Sequence, residues 1–431
     1  MTSERSAASA PVQPTPPGAR QRASFELPAF WLLVGLLAVG AWQLGKVFGA
    51  AFQQFPMAAA VAAVLFGLYA VPFVIFARSV DFLEKEPAAL VATAAAWGGL
   101  VANTTAIAGN GAVRDLLAKE VSPAFAAAWG PAIAAPFIEE ILKTLGVVIV
   151  VLIARRQINS VLDGAVYGAF VGLGFQVIED FIYAVNAVGI AGRGDQVGPV
   201  IVTFFLRGFL AGLWSHTLFS ALAGAGVAYF VVRRNRSRSR RLTVAILAVA
   251  GAMAFHFIWN SPLLADGFGY GAWGILLALL IKGIPALLLI YLLVRAARGQ
   301  EADFYLGELA ALADPNIATP RELAVLRTGS KRMAARRYAY ARCGRPGRTA
   351  VRDLQRAQAK LAVDISRGGD NYEACRNQVL AVRAKLIAFG HPDATTPPGH
   401  RRNPWGVVIG VATAAIVAIL IAVAINALGG R

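Results

Sequence analysis

The chain has 431 residues, 57% of them hydrophobic, and a mean hydropathy of +0.58. Soluble domains are about 45–50% apolar, and here the excess is gathered into long runs, which excludes a soluble globular protein. A net charge of +17 invites a nucleic-acid partner, but the arginines cluster between apolar runs without interleaved aromatic motifs, so no nucleic acid is expected.

Residues 1–26, rich in Ser, Pro and Ala, read as a disordered cytosolic tail. The first apolar run is too long for a signal peptide and is read as a retained span. Nine helical spans are expected, roughly at 28–50, 56–78, 88–109, 124–153, 160–190, 200–232, 242–264, 271–295 and 405–427. Each is close to or above the ~20 residues that cross a hydrocarbon core. Pro131 and Pro136 are expected to kink the fourth span, and the sixth to begin tilted or interfacial before Arg207. Residues 296–390 are polar, basic and helix-favouring; Leu354, Ala357, Leu361 and Ile365 recur at helical spacing, as in a short helical hairpin. Residues 391–404 read as a Pro-rich linker to the C-terminal span, 405–431. The fold class is therefore all-α: a polytopic helical bundle with an eight-span core (27–295), a small cytosolic helical region and a ninth span. Cys343 and Cys375 are the only cysteines; both fall in the polar region and are expected to be reduced thiols.

Charge in the short loops sets the orientation. Arg78 and Lys85, then Arg155 and Arg156, then Arg233, Arg234, Arg236, Arg238, Arg240 and Arg241 occupy every second loop. The opposite loops carry Arg114, Lys119 and Arg193. The positive-inside rule puts the N-terminus and residues 296–404 in the cytoplasm, and the odd span leaves the C-terminus outside.

A charged side chain at the bilayer centre costs on the order of 2.5 kcal/mol or more, yet four consecutive spans accept ionisable or polar groups. The fourth carries Glu139, Glu140 and Lys143 in PFIEEILK. The fifth carries Phe175, Glu179 and Asp180 in GFQVIED. The sixth carries His216 and Ser220 in WSHTLFS, and the seventh His256 and Asn260 in FHFIWNS. Glu139–Lys143, Phe175–Glu179, His216–Ser220 and His256–Asn260 are i, i+4 pairs, so each helix presents two groups on one face. Counted from the cytoplasmic helix ends, Glu139, Glu179, His216 and His256 all sit about 22–27 Å deep. Each residue has a plainer reading alone: Glu140 or Asp180 as a helix–helix hydrogen-bond partner, Lys143 as a structural ion pair, Arg207 as a snorkelling side chain, His216 as a packing histidine. Four helices carrying polar groups at one level make a functional cluster the better account.

Such a cluster suits peptide hydrolysis: a Glu in a low-dielectric cavity can hold water as a general base, and His or Asn can donate to an oxyanion. Two Glu and two His could also bind zinc, but no HExxH is present, so no cofactor is expected and zinc stands as the alternative. Buried Glu and His would equally serve a proton-coupled transporter or channel.

In their order, PFIEEILK, GAVYGAFVGLGFQVIEDFIYA, RGFLAGLWSHTLFSALAGAGVAY and FHFIWNSP resemble the PrsW family of bacterial glutamic-type intramembrane proteases, relatives of the type II CAAX prenyl endopeptidases, over roughly residues 55–295. The resemblance implies that Glu139 activates water, that Glu140 is its conformational or proton-sharing partner, and that His216, His256 and Asn260 serve the remaining polar motifs. The CAAX relatives usually have His where Glu179 stands, which favours the PrsW branch over prenyl-protein processing. It implies a single-span membrane substrate, with site-1 cleavage of an anti-sigma factor as the family precedent, in a bacterial plasma membrane.

Overall fold

A computed structural model describes residues 24–80, 83, 85–212, 215–264, 267–391 and 393–396. Most of the expected N-terminal tail and the whole expected ninth span, 405–427, lie outside the described residues. No strand occurs among the described residues. They divide into two compact units, one built from 24–80 and 86–294 and the other from 83, 85 and 295–396.

In the first unit, α1 is Pro28–Gln54 and α2 is Pro56–Val80. Asp195 caps α2 from a distant loop, accepting the Met57 and Ala58 amides at 2.8 and 2.9 Å. Helix α3 (Ala88–Ala96) passes through a π-helical turn, Trp97–Ala102, into α4 (Asn103–Glu120). Helix α5 (Pro123–Ile153) starts at Ser122, whose hydroxyl accepts the Phe125 amide at 3.1 Å, and continues through Pro131 and Pro136. Helix α6 (Val161–Ala191) opens on a reciprocal Ser160–Asp163 capping box and closes at Gly192 in the left-handed conformation.

The expected sixth span is two helices rather than one. Helix α7 (Gly198–Thr203) widens into a π-helical stretch, Phe204–Ala211, and α8 (His216–Val232) starts afresh. Hydropathy does not register this break, because both halves are equally apolar. Helices α9 (Arg238–Asn260) and α10 (Gly271–Ala311) complete the unit, α10 running on into the second. Six helices among the described residues are long and apolar enough to cross a membrane: Pro28–Gln54, Pro56–Ile75, Ala88–Glu120, Val161–Ala191, Arg238–Asn260 and Trp273–Ala311. The protein is a helical membrane bundle. Helix α5 is 31 residues long but carries Glu139, Glu140 and Lys143 in mid-course; α8 has 17 residues.

Helix α6 is the hub, packing against α2, α3, α5, α7 and α8. Lipid offers apolar surface as good as another helix, so helices in a membrane associate through close backbone approach and polar bonds rather than hydrophobic burial. The α6–α8 contact shows this. Gly168 and Gly172 abut the backbone carbonyls of Ser220 and His216, where a Cβ would overlap them. On α5, Phe137, Ile141, Leu145 and Leu152 point outward at helical spacing, a lipid-facing stripe, while Glu139, Glu140 and Lys143 point in.

The second unit contains the end of α10, then α11 (Pro320–Leu326), α12 (Gly329–Ser366) and α13 (Tyr372–Ala388). Its core holds Leu306, Leu326, Leu354, Leu361, Val379 and Leu386. Cys375 is buried in that core and Cys343 is half-buried; both are free thiols.

Candidate active site

The polar groups of α5, α6, α8 and α9 meet inside the first unit. Helix α5 contributes the centre. Lys143 and both Glu side chains are buried, and the Lys143 ammonium lies 2.6 Å from Glu140 Oε1 and 3.7 Å from Glu139 Oε2. The ammonium also donates to His216 Nδ1 at 2.9 Å and rests 4.6 Å from the Phe175 ring centroid. The Phe175 ring in turn lies 5.0 Å from the His216 ring.

Each histidine has a carboxylate on one ring nitrogen. Glu140 Oε1 is 2.8 Å from His256 Nδ1, and Glu179 Oε2 is 2.9 Å from His216 Nε2. With those nitrogens donating, the other two are acceptors. His216 Nδ1 then faces Glu139 Oε2 at 3.8 Å, and His256 Nε2 faces it at 3.9 Å. Asn260 donates one amide hydrogen to His256 Nε2 (3.1 Å) and the other to the Pro131 carbonyl (3.2 Å), tying α9 to α5. Arg207, in the π-helical stretch after α7, bridges Glu179 and Asp180 of α6, each at 2.6 Å, with its guanidinium over the Tyr183 ring.

Of the residues singled out in the sequence, Glu139, Glu140, Lys143, Phe175, Glu179, His216, His256 and Asn260 come together, and Asp180 joins through Arg207. Ser220 does not. It lies one helical turn from His216 at the α6 crossing, away from the pocket lining. Three residues were not picked out. Asn110 of α4 donates to Glu139 Oε1 at 2.8 Å. Arg207, read as a snorkelling side chain, is an internal ion-pair partner. Gln176 accepts from Ser215 and Thr217, both at 3.3 Å, and donates to Tyr69 Oη and the Gly212 carbonyl, so it fills the break before α8. A polar residue just past an apolar run, as Asn110 is, was the available signal.

The arrangement leaves one conspicuous acceptor. Glu139 Oε2 is buried and has no hydrogen-bond partner among the described residues. It faces a cavity lined by Asn110, Pro131, Ala135, His216, His256 and Trp259, among others. A buried carboxylate oxygen without a partner costs several kcal/mol, so something with positive or donor character belongs against it. The side-chain inventory says the same: four carboxyl groups, Glu139, Glu140, Glu179 and Asp180, gather around two basic side chains, Lys143 and Arg207.

A metal ion is one such partner. Glu139, His216 and His256 each offer a ligand atom, all within 4.8 Å of one another. Ligand atoms of a tetrahedral zinc site sit roughly 3.4 Å apart, close to the Glu139–His separations. Both histidines carry the carboxylate partner on the opposite nitrogen that metal-bound histidines carry. The donor set therefore fits a divalent cation, which competes with Lys143 for His216 Nδ1.

Residues 86–294 match the model of the PrsW family of intramembrane metalloproteases. The matched segment runs from just before α3 to the apolar end of α10 and contains the whole Glu/His cluster. The likeness read from the four motifs is thus borne out over this span, which is similar to the PrsW-family intramembrane proteases. No curated protein and no solved structure matches the chain.

Proposed function

We propose that the protein is an intramembrane endopeptidase, glutamic in its general-base chemistry, that cuts a single-span substrate with water held by Glu139. The observation that carries the reading is Glu139 Oε2 itself, buried, without a hydrogen-bond partner among the described residues and facing the cavity between two imidazole acceptors. A water there donates one hydrogen to Glu139 and is aimed by Asn110 on the other carboxylate oxygen. Glu139 removes its proton as the oxygen attacks the scissile carbonyl, and returns it to the leaving amine. His216 Nδ1 and His256 Nε2 border the same space, and the groups that donate to them, Lys143 and Asn260, are the site's hydrogen-bond donors for an oxyanion. Glu140 and Glu179 fix the two ring orientations, Lys143 and Arg207 anchor those carboxylates, and Asn260 pins His256. A divalent ion on Glu139, His216 and His256 would add Lewis-acid activation of the water and carbonyl.

The substrate class we assign is a membrane-anchored regulator such as an anti-sigma factor, cut towards its extracytoplasmic flank, in a bacterial plasma membrane with the N-terminus inside. The site's expected depth, 22–27 Å from the cytoplasmic helix ends of a ~30 Å core, supports that side.

Glu139→Gln keeps the shape and removes the base. In proteoliposomes it should cut a single-span reporter at least about 100-fold more slowly than the parent, the scale of a lost general base. Cleavage at the parent rate by folded Glu139→Gln protein rules the role out. Proton flux through parent vesicles without any cleavage would favour the relay reading, which the unbroken chain from Arg207 through Glu179, His216, Lys143 and Glu140 to His256 also suits. Metal content of the purified protein tests the ion: bound zinc should be lost in His216→Ala/His256→Ala.

A further inference from the structure

Outside the site, arginines converge in the second unit. Helix α12 reverses direction at Gly344, which takes a positive φ of 63°. Its two arms then run side by side. Arg336 Nε donates to Gln355 Oε1 at 2.8 Å, and Gln355 Nε2 donates to the Arg332 carbonyl at 3.4 Å. The fold-back sets Arg332 and Arg336 of the first arm against Arg348, Arg352 and Arg356 of the second, the latter spaced i, i+4 on one face.

Arg298 of α10 joins them. A Cβ placed on Gly329 would lie 3.5 Å from Arg332 Nη2 and 3.8 Å from Arg298 Nη2, so both guanidinium groups border one point. Glu301 beside Arg332, and Asp353 paired with Arg352 at 3.1 Å, offset part of this charge. Arg348 and Arg356 are exposed. Burial first, and then the neighbouring Arg298 and Arg336, push the Arg332 guanidinium down to about 9.

Position along α10 selects the partner. Arg298 stands four residues past Val294, the last residue of that helix's apolar run. At 1.5 Å per residue this is about 6 Å beyond the hydrocarbon edge, within the headgroup layer. Guanidinium forks match phosphate oxygens in pairs. We propose that Arg298, Arg336, Arg348, Arg352 and Arg356, lying over the buried Arg332, form a binding face for the phosphates of anionic phospholipid headgroups, in the leaflet that the basic loops face.

The test uses the full-length protein in nanodiscs of phosphatidylcholine alone or with about one third phosphatidylglycerol, following amide hydrogen exchange over residues 345–360. Each Arg at an anionic surface contributes roughly a fivefold preference. Exchange should slow at least about threefold in the anionic discs, and the slowing should collapse in about 0.5 M salt, where the Debye length is only a few ångströms. R348Q/R356Q should remove most of it; both side chains are exposed, so the fold is not at stake. Equal exchange in the two discs overturns the proposal, as does slowing that survives in R348Q/R356Q. Slowing by added inorganic phosphate or a short single-stranded RNA in phosphatidylcholine discs, with none from phosphatidylglycerol, transfers the face to a soluble anion and overturns the lipid assignment.

Discussion

At the scale of single residues, the site is held by paired contacts whose removal should have separable effects. Asn110 donates to Glu139 Oε1 while Oε2 faces the cavity. Asn110→Leu keeps the volume and deletes a hydrogen bond to an ionised group, worth about 1.5–3 kcal/mol, roughly 10- to 150-fold in rate if Glu139 loses its aim. Steady-state cleavage should fall by about that factor, and the melting temperature should drop as well, because Oε1 is left buried without a donor. At Arg207 the effect should fall mainly on stability. Arg207→Gln strips the partner from Glu179 and Asp180 together, and because Arg207 is half-buried the loss should fall below the about 3–5 kcal/mol of a fully buried pair. Thermal unfolding in detergent should show the loss, with Arg207→Lys recovering part of it. Glu139, Glu140 and Lys143 were legible from sequence because charge inside an apolar run is expensive and therefore conspicuous. Asn110 and Gln176 were not: an amide costs less to bury, and neither breaks the hydropathy pattern.

At the scale of elements, the site depends on how closely α6 and α8 approach. Gly168 and Gly172 let α6 lie against the carbonyls of α8 from His216 to Ser220. A side chain there meets backbone, which cannot turn aside. Gly168→Leu should therefore force the helices apart and move His216 from Glu179. The expected result is little or no monodisperse protein on size-exclusion chromatography, and well-folded, active Gly168→Leu protein would contradict the packing. The four-residue glycine spacing was visible in GAVYGAFVGLG, but its partner was not, because spacing within one helix does not say which neighbour it meets. The break before α8 was hidden for a different reason. Gln176 replaces bonds the backbone loses there, and a side chain 40 residues upstream leaves no local trace of that service.

At the scale of the whole molecule, catalysis and the second unit should be separable, because the family match ends at Val294 and already contains every member of the cluster. The second unit has its own core and its own buried ion pair. Glu322 caps α11 through the Thr319 amide, takes both terminal nitrogens of Arg383 at 2.6 and 3.1 Å, and accepts the Ala394 amide at 3.1 Å. The helical periodicity around Leu354 and Leu361 was readable, since those residues recur every three to four positions. The convergence on Glu322 was not, because Arg383 and Ala394 lie 61 and 72 residues away. Glu322→Ala leaves a largely buried guanidinium and removes one half of the capping box on α11, at a cost of about 3–5 kcal/mol for the pair alone. Limited proteolysis between residues 300 and 390 should then speed up markedly, since cleavage of a transiently opened segment follows the population of its open form. Glu139-dependent cleavage of a reporter should persist in the same preparation. Parallel loss of both would mean that the second unit is needed for activity, and would place a controlling role on the part of the chain outside the family match.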